Sequence, residues 1–131
     1  MPAKVIHHLR VVSVIVCATV AMQAVAQEDE PTLEELVRQN AAKGISEVMA
    51  RPDRPGQAEI AQPRRVNGGI SVCATSDAYN RSGTYIGRDY WEVLLSEDGS
   101  EVVGTRNVTG TFSHCYGSDY APFTELLEGQ K

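Results

Sequence analysis

The sequence predicts a mainly β protein with flanking helices, an α+β chain built as a small antiparallel meander or partly open barrel. Three observations predict this class. Apolar residues before position 50 recur at three- and four-residue steps, which is typical of an amphipathic helix. From Val66 onward the period changes to two, and Gly, Thr, Tyr and Val become common, which favours short strands. Cys73 and Cys115 both lie in this second part, where one disulfide would close it.

Residues 1–26 have the three parts of a signal peptide. Lys4 and Arg10 supply the positive start, about twelve apolar residues supply the core, and a small-x-small site ends at Ala26. The apolar run is too short to span a bilayer, because a spanning helix needs about twenty such residues. We therefore expect cleavage after Ala26, a periplasmic or secreted mature protein, and no stable membrane insertion afterwards. An uncleaved membrane anchor is the alternative.

Cleavage also reduces the number of cysteines from three to two, because Cys17 lies in the removed segment. Cys73 and Cys115 are predicted to form a disulfide in the oxidising compartment that export implies. The bond closes a loop of about 43 residues, for which chain entropy gives about 4 kcal/mol. We expect no metal site and no cofactor, because zinc usually takes four ligands and His114 is the one histidine left after cleavage.

The charge balance argues against nucleic acid as a partner. Removal of residues 1–26 takes away Lys4 and Arg10 from the 12 basic residues and none of the 17 acidic ones. The mature net charge is then about −7, and a field of that sign repels a phosphate backbone. We expect a protein partner and no nucleic acid.

Residues 27–50 are predicted to contain an amphipathic helix. Thr32 and Glu35 match a capping box, in which each side chain satisfies a free amide of the first turn. Gly44 costs about 1 kcal/mol relative to alanine, so it indicates either a close packing contact or a bend. The apolar stripe consists of Leu33, Leu36, Val37, Ala41, Ile45, Val48 and Met49.

Residues 51–65 are predicted to be a linker. The segment contains three prolines, four arginines and few apolar residues, which is typical of an extended connection. We therefore expect the helix and the β domain to be separable units.

Residues 66–131 are predicted to be a small disulfide-bonded β domain with a short C-terminal helix. Asp98 and Gly99 are a strong hairpin signal, because both central residues of the favoured two-residue turn need positive φ. That turn would pair Leu95 with Val102. Strict alternation places both cysteines on the polar sides of their strands, so the cystine is expected near a sheet edge or rim. The predicted strands are 70–75, 89–96, 101–105 and 111–115, and the predicted helix is 122–128.

All eight aromatic residues lie from position 79 onward. Aromatic side chains anchor protein interfaces and also fill small cores. We expect Trp91 and Phe112 in the core. The glycine-bearing stretch between positions 79 and 88 is instead expected to be an exposed loop. The hypothetical binding surface consists of Tyr79, Tyr85, Arg88 and Tyr90.

The stretch Ser82-Gly83-Thr84-Tyr85, followed by Tyr90 and Trp91, is similar over about ten residues to periplasmic lysozyme inhibitors. It departs from their pattern by one residue between Gly83 and Tyr85. Cys73 also lies much closer to the stretch, on its N-terminal side, than the cysteine of that pattern does. The resemblance illustrates a non-catalytic role for a small exported β domain and does not assign a family.

The leading functional hypothesis is an exported, non-catalytic binding or inhibitor-like module that acts on another protein in the periplasm or extracellular space. One alternative is an accessory subunit of an envelope or secreted assembly, which would dock through the helix of residues 27–50. The other is a small hydrolase in which His114 acts as a general base with a carboxylate such as Asp119. Ser113 is not expected to be its nucleophile, because adjacent strand residues point to opposite faces.

Overall fold

A computed structural model describes residues 28–128, so the predicted signal peptide lies outside the described residues. None of the helices in this part of the chain has the length and hydrophobicity that crossing a membrane requires. The elements are α1 (Leu33–Val48), β1 (Glu59–Ala61), β2 (Arg64–Val66), β3 (Gly69–Tyr79), β4 (Tyr85–Leu95), β5 (Val102–Asn107), β6 (Tyr120–Pro122) and α2 (Thr124–Glu128).

The six strands form one antiparallel sheet. The strand order is β5, β4, β3, β1, β6, and β2 pairs with the first residues of β3. The prediction of a mainly antiparallel β protein is therefore confirmed. The sheet is not closed into a barrel, because the outer strands β5 and β6 do not pair with each other in the part of the chain described. The long hairpin of β3 and β4, with 11 residues in each strand, supplies most of the residues on both faces of the sheet.

One face of the sheet, called the helix face, is covered by α1 and α2. Trp91 is buried there as predicted, and its indole N–H donates to Ser76 Oγ at 3.0 Å. Arg38 joins the two helices through an ion pair of 2.6 Å with Glu125, and its hydrogen bonds lower the pKa of that carboxyl. The core of the helix face includes Val37, Ala41, Ile45, Ile60, Ile70, Val72, Ala74, Val93, Leu95, Phe123 and Leu126.

Helix α1 begins after the N-cap Thr32, and the predicted capping box with Glu35 is present. Gly44 faces the sheet at close range. A Cβ atom placed on it would lie 2.7 Å from Thr105 Oγ1 and 3.1 Å from Val102 Cγ1. Of the two explanations for this glycine, close packing is the one that the structure supports. The helix is therefore packed on its own sheet, and the expectation that the two units are separable is wrong.

The predicted linker, residues 51–65, contains β1 and the beginning of β2. Ile60 is buried in β1, opposite Ala74 of β3 on one side and Ala121 of β6 on the other. Pro63 lies between the two short strands, so its missing N–H interrupts no ladder. The segment is thus part of the sheet, and its description as an extended linker is wrong.

The β4–β5 hairpin contains a bulge that the prediction lacked. Leu95 pairs with Val102 as expected, but the next pair is Leu94 with Gly104. One extra residue on β5 shifts the register of the rest of the hairpin by one position.

The turn of this hairpin also differs from the predicted two-residue turn. Only Gly99 has positive φ, 73°, whereas Asp98 does not. A β-turn runs from Ser96 to Gly99, closed by the Gly99 N–H, which donates to the Ser96 carbonyl at 2.9 Å. The Asp98 carboxylate accepts hydrogen bonds from the hydroxyls of Ser100 and Ser96, which lower its pKa to about 2.

Residues 111–115 do not form the predicted strand. The backbone makes local turns there, with hydrogen bonds from Thr111 N–H to the Val108 carbonyl at 3.1 Å and from Tyr116 N–H to the Ser113 carbonyl at 3.3 Å. Such local bonds replace a strand ladder. The sixth strand is instead β6, and a short helix follows it as predicted.

Candidate functional site

The second face of the sheet, called the disulfide face, is covered by an irregular segment rather than by a helix. We call this segment, residues 108–119, the disulfide loop. Cys73 in β3 and Cys115 in the loop form the disulfide, with their Cα atoms 5.4 Å apart. Both cysteines are buried, and Ala61 and Val108 pack with them. The cystine was expected at an edge or rim, but it lies under the loop on the central strand because β1 and β4 flank β3.

The disulfide loop is held by hydrogen bonds as well as by the covalent bond. The Gly110 N–H donates to the Tyr116 hydroxyl at 2.6 Å, and Ser118 Oγ donates to the His114 carbonyl at 2.9 Å. Tyr120 of β6 donates from its hydroxyl to the Cys115 carbonyl at 2.6 Å. The loop is therefore tied at several points along its length.

An aromatic cluster lies beside this loop. The rings of Tyr90 and Tyr116 are 4.3 Å apart between centroids, and Tyr120 meets Tyr90 edge-on at 6.4 Å. Burial raises the pKa of Tyr120 to about 12, because it disfavours the phenolate. Tyr90 therefore packs against the disulfide loop through Tyr116 and against β6 through Tyr120.

Phe112 lies on the disulfide loop and is exposed to solvent. Its exposed area is 112% of the reference value, so the ring is fully in water. The expectation that Phe112 is a core residue is wrong, because it rested on a strand that does not form. Sequence reasoning therefore missed the most exposed large apolar side chain among the described residues.

Tyr79 and Tyr85 lie together at the end of the β3–β4 hairpin, with ring centroids 5.6 Å apart. The guanidinium of Arg54 stacks over Tyr79 at 4.2 Å from the ring centroid, which partly covers it. Tyr85 is 55% exposed and its neighbour Ile86 is 64% exposed. Half of the stretch expected as a loop is strand, and the turn itself is confined to residues 80–84.

Arg88 is held in a network on the disulfide face. It donates to the Thr75 hydroxyl and to the Gln57 carbonyl, the latter at 2.9 Å, and its guanidinium lies 3.3 Å from Asp77 and 3.6 Å from Glu59. These contacts join β4 to β3 and β1. The four residues of the predicted surface are thus divided among the hairpin end, this network and the aromatic cluster.

His114 lies beside a buried carboxylate that is distant in sequence. Its Nδ1 is 3.6 Å from Glu92 Oε2, and its Nε2 is 3.3 Å from Cys73 Sγ. Glu92 is only 6% exposed and also forms an ion pair with Arg106. The carboxylate beside the His114 ring is therefore that of Glu92 rather than that of the Asp119 considered for the hydrolase alternative. The strand register explains this placement, because Glu92 lies directly opposite Cys73.

This arrangement places a carboxylate on one side of the imidazole and, on the other, a sulfur that belongs to the disulfide and is therefore not a nucleophile. The structure thus gives the hydrolase alternative a histidine beside a carboxylate. Comparisons with protein-family models, with curated proteins and with solved structures found no match for this chain.

Proposed function

We propose that this protein is an exported, non-catalytic binding module that acts on another protein in the periplasm or extracellular space. The observation that carries the proposal is the full exposure of Phe112 on a disulfide-bonded loop. We place the centre of the contact at Phe112. The partner is expected to offer an apolar pocket large enough for one phenyl ring.

Both the Phe112 ring and the loop that supports it favour binding. A phenylalanine ring in water buries a large apolar area when it enters a pocket, and aromatic anchors often dominate binding energy. Ordering a flexible loop on binding would offset part of that gain. The disulfide at Cys115 and the bond from Gly110 to Tyr116 fix this loop in advance, which lowers the ordering cost.

The region around Phe112 fits a rim that contacts the partner. Tyr116 is partly exposed and stacks on Tyr90, so it adds a stiff aromatic surface with a polar hydroxyl. The hairpin end with Tyr85 and Ile86 is a second exposed apolar patch. We assign it a secondary contact, since Tyr79 and Arg88 are engaged within the protein.

The accessory-subunit alternative is weaker because α1 uses its apolar side internally. Val37, Ala41 and Ile45 are all buried against the sheet. A helix that docks in a partner's groove needs such a stripe free. Docking through α1 would therefore require the helix to leave its own core.

Position-specific crosslinking tests the proposed contact. A photoreactive benzophenone amino acid is placed at position 112, and the purified protein is irradiated in the extracytoplasmic fraction of its own cells. We expect one discrete adduct. The matched control carries the same group at Val103, which is exposed on β5, and should give no adduct of that mass. Unlabelled protein should suppress the adduct, whereas Phe112→Ala should need at least about tenfold more competitor.

Melting of the Phe112→Ala variant should match that of the parent, because the ring contributes nothing to the core. Equal adducts from positions 112 and 103 would overturn the proposal, as would equal competition by the variant and the parent.

A further inference from the structure

Three potential metal-binding atoms converge on the disulfide face. The Sγ atoms of Cys73 and Cys115 and a ring nitrogen of His114 all lie within 4.8 Å of one another. Thiolate sulfur and imidazole nitrogen are the ligands that zinc prefers. In the oxidised protein the two sulfurs are bonded to each other and are not available as thiolates.

The histidine also lies near a carboxylate, the kind of group that usually orients a zinc-bound histidine. Its Nε2 faces Cys73 Sγ at 3.3 Å, while Nδ1 faces Glu92 Oε2 at 3.6 Å. A carboxylate on the far nitrogen fixes the tautomer and ring orientation and makes the near nitrogen a better ligand. Arg106 in turn pairs with Glu92, so the carboxylate itself is held.

We propose that the reduced form of this protein binds one Zn²⁺ through Cys73, Cys115 and His114 Nε2, with Glu92 orienting the histidine. Disulfide and zinc site are then alternative states of the same residues. Three protein ligands leave a fourth position for water or for an added ligand, as in open zinc sites. The sequence argument against a metal site counted four protein ligands, whereas an open site needs three.

Conversion of the disulfide state into the zinc-binding state needs two electrons and two protons, which a dithiol reductant can supply. The dithiol transfers two electrons and two protons to the Cys73–Cys115 bond, which breaks to give two thiols, and the dithiol closes to its own disulfide. Zn²⁺ then replaces the two thiol protons, which pass to solvent. The bound site carries two thiolates, one neutral imidazole and the metal.

The distances require only a local rearrangement. Tetrahedral zinc with bonds of about 2.3 Å to sulfur and about 2.05 Å to nitrogen sets sulfur and nitrogen about 3.6 Å apart and the two sulfurs about 3.8 Å apart. The Cys73 and His114 atoms are already 3.3 Å apart. The sulfurs must separate, and Cys115 lies on a loop rather than in a strand, so its side chain is the one expected to move. The partly exposed imidazole provides a route for the ion from solvent.

Zinc titration of the reduced protein tests the proposal. The protein is reduced with a dithiol, separated from it without oxygen, and titrated with Zn²⁺ against a chromophoric chelator. We expect one equivalent to bind with a Kd below about 1 μM, and we expect none to bind to the oxidised protein. Replacement of zinc by Co²⁺ should give the near-ultraviolet charge-transfer absorption of a thiolate complex.

Variants separate the roles of the side chains. His114→Ala should weaken zinc binding at least about tenfold, and Glu92→Gln should weaken it by about 10–100-fold. Glu101→Gln, which removes an exposed carboxylate elsewhere, is the matched control and should bind like the parent. Glu92→Gln changes a buried side chain, so tryptophan fluorescence checks the fold of each variant. His114→Asn is measured as a second variant of the histidine.

Failure of the reduced protein to bind zinc would overturn the proposal. Unchanged affinity in both His114 variants would also overturn it, because the two cysteines alone would then be the site. A reduced protein that unfolds and does not refold with zinc counts equally against it.

Discussion

Side chains of β3 and β4 are buried on both faces of the sheet, but by different kinds of contact. Trp91 and Glu92 are neighbours in β4 and both are buried, but they lie on opposite faces. Trp91 is packed among apolar side chains under α1, and its indole N–H donates to Ser76 Oγ. Glu92 is packed among polar and sulfur-containing groups, namely Arg106, His114 and Cys73.

The difference shows what each face depends on. The helix face is stabilised by apolar area spread over many residues, so its stability is distributed. The disulfide face contains few apolar residues and relies on one covalent bond to hold an irregular loop against the sheet. A single change should therefore disrupt the disulfide face more selectively than the helix face.

Removal of the disulfide should have the largest effect. Cys73→Ala combined with Cys115→Ala should lower the free energy of unfolding by about 4 kcal/mol, because the unfolded chain regains the entropy of a long loop. Urea unfolding measures this loss. Hydrogen exchange should become fast over the disulfide loop, while α1 keeps its protection up to global unfolding. Equal loss of protection in α1 and in the loop would show that the two faces are not independent.

A smaller effect is expected from added volume on the helix face. Gly44→Ala gains about 1 kcal/mol of helix propensity but places a methyl group 2.7 Å from Thr105 Oγ1, and overpacking costs about 1–3 kcal/mol. We expect a net destabilisation of about 1 kcal/mol by urea unfolding. In a Thr105→Ala background the same change should cost less. A stabilisation of the parent by Gly44→Ala would mean that α1 is not in tight contact with β5.

The smallest effect concerns alkaline pH on the disulfide face. Burial raises the pKa of Tyr120 from 10.0 to about 12, so folding favours the neutral phenol. This contribution to stability is complete below pH 10 and is lost as pH rises towards 12. Urea midpoints should therefore fall less steeply over this range in Tyr120→Phe than in the parent. Identical slopes for Tyr120→Phe and the parent would contradict the assignment.

The helix and the parts of β3 and β4 far from their connecting turn could be predicted because their signals are local. The capping box at Thr32 and Glu35 and the alternation through β3 need only short stretches of sequence. Strand β1 could not be predicted in this way, since three residues between prolines give no measurable period. Its stability comes from β3 and β6 on either side, which are tertiary contacts.

The candidate site was less predictable than the fold for a related reason. The disulfide followed from counting cysteines, but its position depended on the path of a segment without secondary structure. Alternation placed Phe112 in a strand, whereas the turns of the disulfide loop place it in water. The contact of His114 with Glu92 depends both on the path of that loop and on the strand register. No local sequence pattern connects the two residues, so the contact could not be predicted.

The pairing of β1 with β6 has a kinetic consequence. The β3–β4 hairpin joins residues close in sequence, whereas β1 at residues 59–61 must meet β6 at residues 120–122. Phe123 then enters the helix-face core, with its N–H donating to the Ala58 carbonyl at 2.9 Å. Distant contacts form more slowly than local ones, because loop closure must precede them. The segment from β6 to α2 therefore completes the core under α1, and a partly folded chain in which this segment is not yet docked would expose Ile60 and Ile45 to solvent.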